Sequence, residues 1–290
     1  MSWQELQIVL DTAEVPRAEA LLGLAGATAI TLASAGGEAL LEPLPGETPM
    51  WHSVVLRALF PPAIPLSAVA ANLQLALALQ TGISVRTLSD EEWKGTWERR
   101  PRSQRIGKRL LLTAADENVS ATERAVVRLN LGLAFGTGEH PTTALCLEWL
   151  DAELQTGTRI IDYGCGSGVL AIAALRLGAT CGWAVDIDSQ ALTASRANAR
   201  LNQVEERLWI GTPEELPAVE VDIVVANILA GTLGDLVGLF GDCIRPGGHL
   251  VLSGILESQT DDLRRSYDDQ FGPFTMRRKD GWVLLSAPRR

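Results

Sequence analysis

The sequence has few cysteines, no excess of positive charge and no long apolar run, and each shortage argues against a class of protein. The four cysteines are scattered without a Cys-x-x-Cys pair, so neither a disulfide scaffold nor a zinc site is indicated. No run of about 18 uncharged apolar residues predicts a membrane span, and the N-terminus lacks the basic and apolar regions of a secretion signal. We therefore predict a cytoplasmic protein without a metal.

The net charge of −10 and the isoelectric point near 4.9 argue against non-specific nucleic-acid binding, which calls for a basic face. We expect no stable complex with nucleic acid, whereas a basic protein is a suitable partner. A hydrophobic content of 47% supports a sizeable packed core, and 290 residues suffice for two domains.

The order of predicted elements divides the chain in two. Residues 1–98 predict a small α+β domain with the βαββαβ order of ferredoxin-like modules, a common binding platform. The basic run 99–109 is interpreted as a linker, with contact to an acidic partner such as RNA as the alternative. From 110 to 290 strands alternate with helices, which predicts an α/β, Rossmann-like domain with a parallel sheet. A hairpin over 271–287 is expected to close that sheet with antiparallel strands.

The most informative segment is the junction of the predicted strand 159–163 with the predicted helix 168–177. It contains one acid and three glycines, Asp162, Gly164, Gly166 and Gly168. Glycines at such a turn let the backbone approach a ligand, and their G-x-G-x-G spacing differs from the dinucleotide fingerprint, which disfavours an oxidoreductase. An acid at the mouth of the loop would repel a pyrophosphate but suits a sulfonium and an ammonium group. The predicted ligand is therefore S-adenosylmethionine (SAM), and the alternative is a tight turn without a ligand.

A second acid, Asp186, ends the next predicted strand, 180–186. Ligands of parallel sheets sit at the carboxyl ends of the strands, so this carboxylate is expected to hold the ribose hydroxyls of SAM. Asp188 is interpreted as the N-cap of a helix over 189–202.

Asn227 follows the predicted strand 221–226, and its side-chain oxygen can accept a hydrogen bond from a substrate amine. The backbone carbonyl of Ile228 can accept a second one. Amine methylation needs a neutral nitrogen whose lone pair is in line with the S–CH3 bond, and two acceptors fix that orientation. Asn227 and Ile228 are therefore the candidate catalytic residues, and an N-cap of the predicted helix 229–243 is the alternative for Asn227.

The loop 135–143 combines two glycines with a helix start at Pro141. Placed before the first core strand, it can fold over the methionine end of SAM, with the hydroxyls of Thr142 and Thr143 reaching its polar groups. His140 is a candidate general base, and a hydrogen bond that orders the loop is the alternative. A lysine amine, with an ordinary pKa of about 10.4, can also lose its proton through desolvation, without His140.

Five motifs occur in order along the chain: F-G-T-G-E-H-P-T-T at 135–143, the glycine loop at 161–168, D-I-D at 186–188, V-A-N-I-L-A-G at 225–231 and L-S-G-I-L at 252–256. Together they resemble the bacterial methyltransferases of large-subunit ribosomal protein L-eleven. The resemblance implies a seven-stranded SAM methyltransferase domain that trimethylates lysine ε-amines and the N-terminal α-amine of that ribosomal protein. It also implies that residues 1–98 recognise the substrate.

The resemblance places SAM contacts at Thr143, Gly164, Asp186 and Asn227. With the residues argued above, the complete predicted cofactor site is Phe135, Thr142, Thr143, Asp162, Gly164, Gly166, Gly168, Asp186 and Asn227. Glu139 departs from the threonine that is usual at its position in the family. Three rivals remain: a methyltransferase of RNA, a methyltransferase of a glutamine amide, and a non-catalytic SAM-binding or ribosome-assembly factor.

Overall fold

The structure is a computed structural model and describes residues 3–36, 51–77, 82–88, 103–119, 122–130 and 140–290. The chain forms two compact units, Met1–Arg99 and Arg100–Arg290. Within the described ranges, no helix is long and apolar enough to cross a membrane. Phe135, Glu139 and residues 39–42, over which the sequence predicts a further short strand, lie outside these ranges.

The first unit is an antiparallel four-stranded sheet with two helices. In chain order its elements are β1 (Trp3–Asp11), α1 (Val15–Leu24), β2 (Ala29–Ser34), β3 (Ser53–Phe60), α2 (Leu66–Ala76) and β4 (Ser84–Leu88). The strands lie in the order β2-β3-β1-β4. Alternate residues of β1, Leu6 and Ile8, pack in one core with Leu22 of α1 and Leu73 of α2. The βαββαβ order is the one predicted for this segment.

The second unit contains a seven-stranded sheet. Its strands are β8 (Arg159–Tyr163), β9 (Cys181–Val185), β10 (Leu208–Gly211), β11 (Val221–Asn227), β12 (Ile244–Leu256), β13 (Thr275–Lys279) and β14 (Trp282–Pro288). They lie in the order β10-β9-β8-β11-β12-β14-β13, with the first five parallel and the last two antiparallel to their neighbours. The predicted Rossmann-like sheet and its antiparallel closing hairpin are confirmed.

Helices cover both faces of this sheet. They are α3 (Pro141–Glu153), α4 (Val169–Leu177), α5 (Ser189–Leu201), α6 (Ala230–Asp235), α7 (Val237–Cys243) and α8 (Thr260–Tyr267). Neighbouring residues of β8 point to opposite faces, so Ile160 packs with Leu147 of α3, whereas Ile161 packs with Phe240 of α7. Each such fully buried aliphatic side chain contributes about 1.5–3 kcal/mol, which makes the central strands a rigid base for the loops at their ends.

The helix predicted over 229–243 is wrong as a single element. The structure has two short helices, α6 and α7, separated by Leu236, whose φ and ψ are −96° and 5°. Four glycines in this stretch, Gly231, Gly234, Gly238 and Gly241, lower its helix propensity and account for the break. The helix α8 was not predicted, and it buries Leu263 and Tyr267 on one face.

The prediction of a linker over the whole of 99–109 is also wrong in its second half. A strand, β5 (Gln104–Ile106), pairs antiparallel with β6 (Leu110–Ala114), which pairs parallel with β7 (Ala125–Leu129). The carboxylate of Asp151 accepts the backbone N–H groups of Lys108 and Arg109 at 2.8 and 2.7 Å. The basic side chains here belong to a folded surface, and composition alone does not separate such a surface from a solvated linker.

Candidate active site

The glycine loop joins β8 to α4 in a backbone conformation that favours glycine. Gly164, Gly166 and Gly168 have φ values of +76°, +53° and +78°, in the left-handed region. The backbone N–H groups of Gly164 and Cys165 both donate to the carbonyl of Val185, at 2.8 and 3.0 Å. These bonds tie the loop to the end of β9, where the second acid lies.

Asp186 is held by two backbone donors, one from each side. Its Oδ2 accepts from Gly166 N at 2.9 Å, and its Oδ1 accepts from Asp188 N at 3.0 Å. Each carboxylate oxygen can accept a further hydrogen bond, so a fixed pair of acceptors remains for a ligand diol. Asp188 caps α5 by accepting from Gln190 N at 2.8 Å, as predicted.

Asp162 does not lie at the mouth of the loop, as the sequence suggested, but is fully buried beneath it. Its Oδ2 accepts from Ala171 N, in the first turn of α4, at 3.0 Å, and its Oδ1 has no partner among the described residues. Burial raises the pKa of this carboxyl to about 7; the Ala171 hydrogen bond opposes the shift and the charge of Asp186 adds to it. Because it accepts a hydrogen bond from the first turn of α4, the Asp162 carboxyl anchors the loop from below.

Two further predicted contacts, Gly168 and Thr142, lie away from the pocket surface. A Cβ on Gly168 would meet Ser195 Oγ at 2.8 Å, so this glycine serves close packing between α4 and α5. Thr142 is buried, and its hydroxyl lies 2.7 Å from His140 Nδ1. His140 is the N-cap of α3, and burial lowers its pKa, which keeps the imidazole neutral and able to accept.

Asn227 ends β11 and turns its amide toward the start of α3. Its Nδ2 donates to Thr143 Oγ1 at 3.2 Å, a bond that fixes the plane of the amide. The N-cap of α6 is Leu229, so the alternative reading of Asn227 as a helix cap is wrong. Among the described residues Thr143 is the hydrogen-bond partner of this side chain, which leaves its oxygen as an acceptor.

Ile228 is held between two glycines, Gly164 in the loop after β8 and Gly254 within β12. A Cβ on Gly164 would overlap the Ile228 side chain. A Cβ on Gly254, at φ +83°, would lie 3.0 Å from the Ile228 carbonyl carbon and closer still to its oxygen. The missing side chains therefore let the loop after β8, the turn after β11 and the C-terminal part of β12 meet at one residue, Ile228.

A pocket of about 330 Å³ opens beside these residues at the carboxyl ends of the parallel strands. Its wall includes Gly164, Gly166, Asp186, Asn227 and Ile228. A smaller cavity of about 20 Å³ continues from Gly164, Gly166 and Asn227 to Thr143. The structure thus brings six of the predicted site residues together and leaves Asp162, Gly168 and Thr142 behind the wall.

A family model described as Ribosomal protein L11 methyltransferase (PrmA) matches residues 2–290. The chain belongs to this family. Proteins named Ribosomal protein L11 methyltransferase are 45% identical in Alkalilimnicola ehrlichii, over 98% of both chains, and 42% identical in Nitrosococcus oceani, over 100% of both. The crystal structure of the ribosomal protein L11 methylase of Lactobacillus delbrueckii subsp. bulgaricus superposes with a TM-score of 0.60 at 28% identity. It covers 65% of this chain and 98% of its own.

Membership in the L11 methyltransferase family confirms the predicted fold and a methyltransferase activity with SAM as the donor. The pocket fits that molecule by its own chemistry. Asp186 offers two oriented acceptors for a diol, and Ile187, 85% exposed beside it, offers an apolar surface next to them. The two loop glycines in the wall, Gly164 and Gly166, let a ligand approach the backbone.

Several supporting residues of this L11 methyltransferase-family site escaped prediction. Ser195 Oγ donates to the carbonyl of Gly166 at 2.8 Å, and Asn198 Nδ2 donates to that of Ser167 at 2.9 Å. Ser253 Oγ donates to the carbonyl of Thr142 at 3.1 Å and ties α3 to β12. The sequence did offer one sign of Ser195 and Asn198, because they are polar residues three positions apart on the buried face of α5.

We expect Asp162→Asn to change the pH dependence of stability. The folded protein holds a proton on Asp162 up to about pH 7, whereas the ordinary pKa is 3.8, so wild-type stability falls as pH rises between these values. Asparagine keeps an acceptor for Ala171 N–H and has no proton to lose. In urea unfolding, the free energy of unfolding of the variant minus that of the wild type should increase from pH 4 to pH 8. A constant difference across that range would contradict the burial effect.

Gly254→Ala should lower methyl transfer by about 100-fold, because displacing a positioned group by about 1 Å has costs of that size. Gly281→Ala is the matched control, since Gly281 has nearly the same φ, +81°, with nothing within 4 Å of an added Cβ. In both variants an alanine in the left-handed region costs about 1–2 kcal/mol of stability. Only in Gly254→Ala does the added Cβ also overlap the backbone of Ile228. Steady-state turnover and urea unfolding of both variants measure the difference, and equal turnover in the two would contradict the positioning role.

Proposed function

We propose that this protein trimethylates lysine ε-amines and the N-terminal α-amine of ribosomal protein L11, using SAM. The names of its relatives support ribosomal protein L11 as the substrate. The observation that carries the amine chemistry is the pair of acceptors on one turn, the Asn227 side-chain oxygen and the Ile228 carbonyl, beside the SAM pocket. Such a pair suits a nitrogen with two hydrogens to donate.

The donor half of the site is made of rigid backbone. Bound SAM supplies a methyl group on a positively charged sulfur. Asp186 holds the ribose hydroxyls, Gly164 and Gly166 place the backbone against the ligand, and Thr143 reaches its methionine end from α3. Asp162 and Gly168 act through the loop that they anchor, without direct contact. Phe135 belongs to the loop proposed to cover the methionine end.

The acceptor half orients a neutral amine. In the first transfer Asn227 and Ile228 accept both N–H hydrogen bonds of the amine, and in the second transfer one of them accepts the N–H that remains. They thereby aim the lone pair at the methyl carbon, which lowers the barrier through positioning. Desolvation in the pocket favours loss of the proton from a lysine ammonium. Since desolvation supplies the neutral amine, His140 is not required as a base, and its Nδ1 serves the start of α3, where it faces the Thr142 hydroxyl.

We further propose that the first unit recognises the substrate protein and that the second unit performs the transfer, in the cytoplasm. The acidic total charge of the chain suits a basic, RNA-binding substrate protein. A glutamine-amide methyltransferase of this fold usually has an N-P-P-Y turn, whereas Ile228 and Leu229 follow Asn227 here.

Two substitutions separate the halves of the site. Asp186→Ala removes the ribose acceptors and should weaken SAM binding at least tenfold, since hydrogen bonds to a charged group contribute about 1.5–3 kcal/mol. Asn227→Ala should lower turnover more than SAM affinity, because its oxygen serves the amine. Calorimetric titration with SAM and single-turnover rates measure the two effects. An unchanged SAM affinity in Asp186→Ala would contradict the proposal that Asp186 holds the ribose hydroxyls.

The acceptor is tested with SAM labelled in the methyl group. The protein is incubated separately with purified ribosomal protein L11, ribosomal RNA and release factors, and the label is located by mass spectrometry. We expect trimethylated amines in the ribosomal protein alone. Label only in RNA would overturn the proposal, label in a release factor would point to a glutamine acceptor, and SAM binding without transfer would indicate a non-catalytic factor.

A further inference from the structure

A basic groove of about 620 Å³ lies on the second unit, at the end of α4 remote from the glycine loop. Three segments that are separate in sequence form it: 105–109, 122–125 and 176–177. Five cationic side chains line it, Arg105, Lys108, Arg109, Arg124 and Arg176. At about 1.5 Å per helical residue, α4 places this groove about 13 Å from the glycine loop, so it is not part of the SAM pocket.

Two of the arginines are fixed by neutral backbone carbonyls. Arg124 Nη1 donates to the carbonyls of Gly107 and Leu110 at 3.0 and 2.9 Å. Arg109 donates through Nε to Asp151 O at 2.7 Å and through Nη2 to Leu150 O at 3.0 Å. Since these carbonyls carry no net charge, the bonds orient both guanidinium groups without neutralising them.

The other three cations, Arg105, Lys108 and Arg176, are exposed. No ion pair within the described ranges joins any of them to a carboxylate, whereas Arg277 and Arg278 elsewhere on the unit pair with glutamates at 2.9 Å. These three side chains therefore give the groove a positive charge that is open to solvent.

The local charge does not balance. Glu123 is the acid among the described lining residues, Asp151 lies beneath the turn, and the C-terminal ends of α3 and α4 add about half a negative charge each. Together they offset about three of the five positive charges. The groove therefore has a surplus of positive charge, although the chain as a whole has a net charge of −10. This local surplus argues against the expectation, drawn from the total charge, that the protein forms no stable complex with nucleic acid.

We propose that this groove binds the phosphate backbone of duplex RNA. Four of its five cations are arginines, whose planar guanidinium forks match phosphate oxygens. None of its described lining residues is aromatic, so base stacking, on which single-strand binding depends, has no platform there. A basic ribosomal protein would be repelled by the groove, whereas the RNA that such a protein binds would be attracted. The choice of the RNA bound by the substrate protein as the partner rests on the proposed function.

The binding is expected to be independent of base sequence and sensitive to salt. Three phosphate contacts predict an affinity that falls about 40-fold between about 50 and 200 mM salt. The groove would then hold the enzyme against an RNA-bound substrate, while the free substrate protein would be methylated without it.

The test uses the full-length protein and a short A-form RNA duplex in fluorescence anisotropy. The groove variant combines Arg105→Gln, Lys108→Gln and Arg176→Gln. The control variant removes the same charge where it is already paired, with Arg265→Gln, Arg277→Gln and Arg278→Gln. We expect the groove variant to bind the duplex at least about tenfold more weakly than the control variant at low salt. Both variants should methylate free ribosomal protein at the wild-type rate, and the groove variant should be slower on the RNA-bound protein.

Equal duplex affinity in the two variants would overturn the proposal. So would displacement of the duplex by polyglutamate at the same charge concentration, because it would make an acidic polypeptide the partner. Failure of the proposed function would show itself separately, as absence of transfer from wild-type enzyme to free ribosomal protein, and it would leave the duplex-binding result standing.

Discussion

The close approach of Ile228 to two glycines is the constraint on which the site depends. Gly164 leaves room for its side chain, and Gly254 leaves room for its backbone. Through this single residue the loop after β8, the turn after β11 and the end of β12 are set at fixed distances from one another. Asn227, the preceding residue, therefore presents its amide at a position that packing determines, and the bond to Thr143 sets the amide plane.

The two acids of the SAM half have opposite environments and correspondingly different tasks. Asp186 lies in the pocket wall, with one backbone donor on each oxygen and capacity for more. Asp162 is sealed beneath the loop, where burial raises its pKa to about 7. A buried carboxyl is tolerated there because it keeps its proton up to about pH 7 and one of its oxygens accepts the Ala171 N–H, so its contribution is to the shape of the loop. Two acids at the ends of neighbouring strands thus lie in different places, Asp186 in the pocket wall and Asp162 beneath the loop.

Much of the fold was predictable, because strands and helices of the second unit follow clear apolar patterns. Asp186, Asn227 and the loop glycines could be assigned because each follows a predicted strand, and the carboxyl ends of parallel strands meet at one edge. Side-chain direction could not be predicted. Asp162, Thr142 and Gly168 have the right residue types and turn away from the pocket. Ser253 and Gly254 act through contacts with residues more than twenty positions away, and no local pattern reveals such contacts.

The most direct test of this account is a crystal structure with a bisubstrate analogue, in which the amine nitrogen of a lysine is joined to the adenosyl part of SAM. We expect the ribose hydroxyls to lie on the Asp186 carboxylate. We expect the amine nitrogen to lie within hydrogen-bond distance of both the Asn227 side-chain oxygen and the Ile228 carbonyl oxygen. An amine nitrogen bound by other groups, with these two oxygens facing solvent, would contradict it.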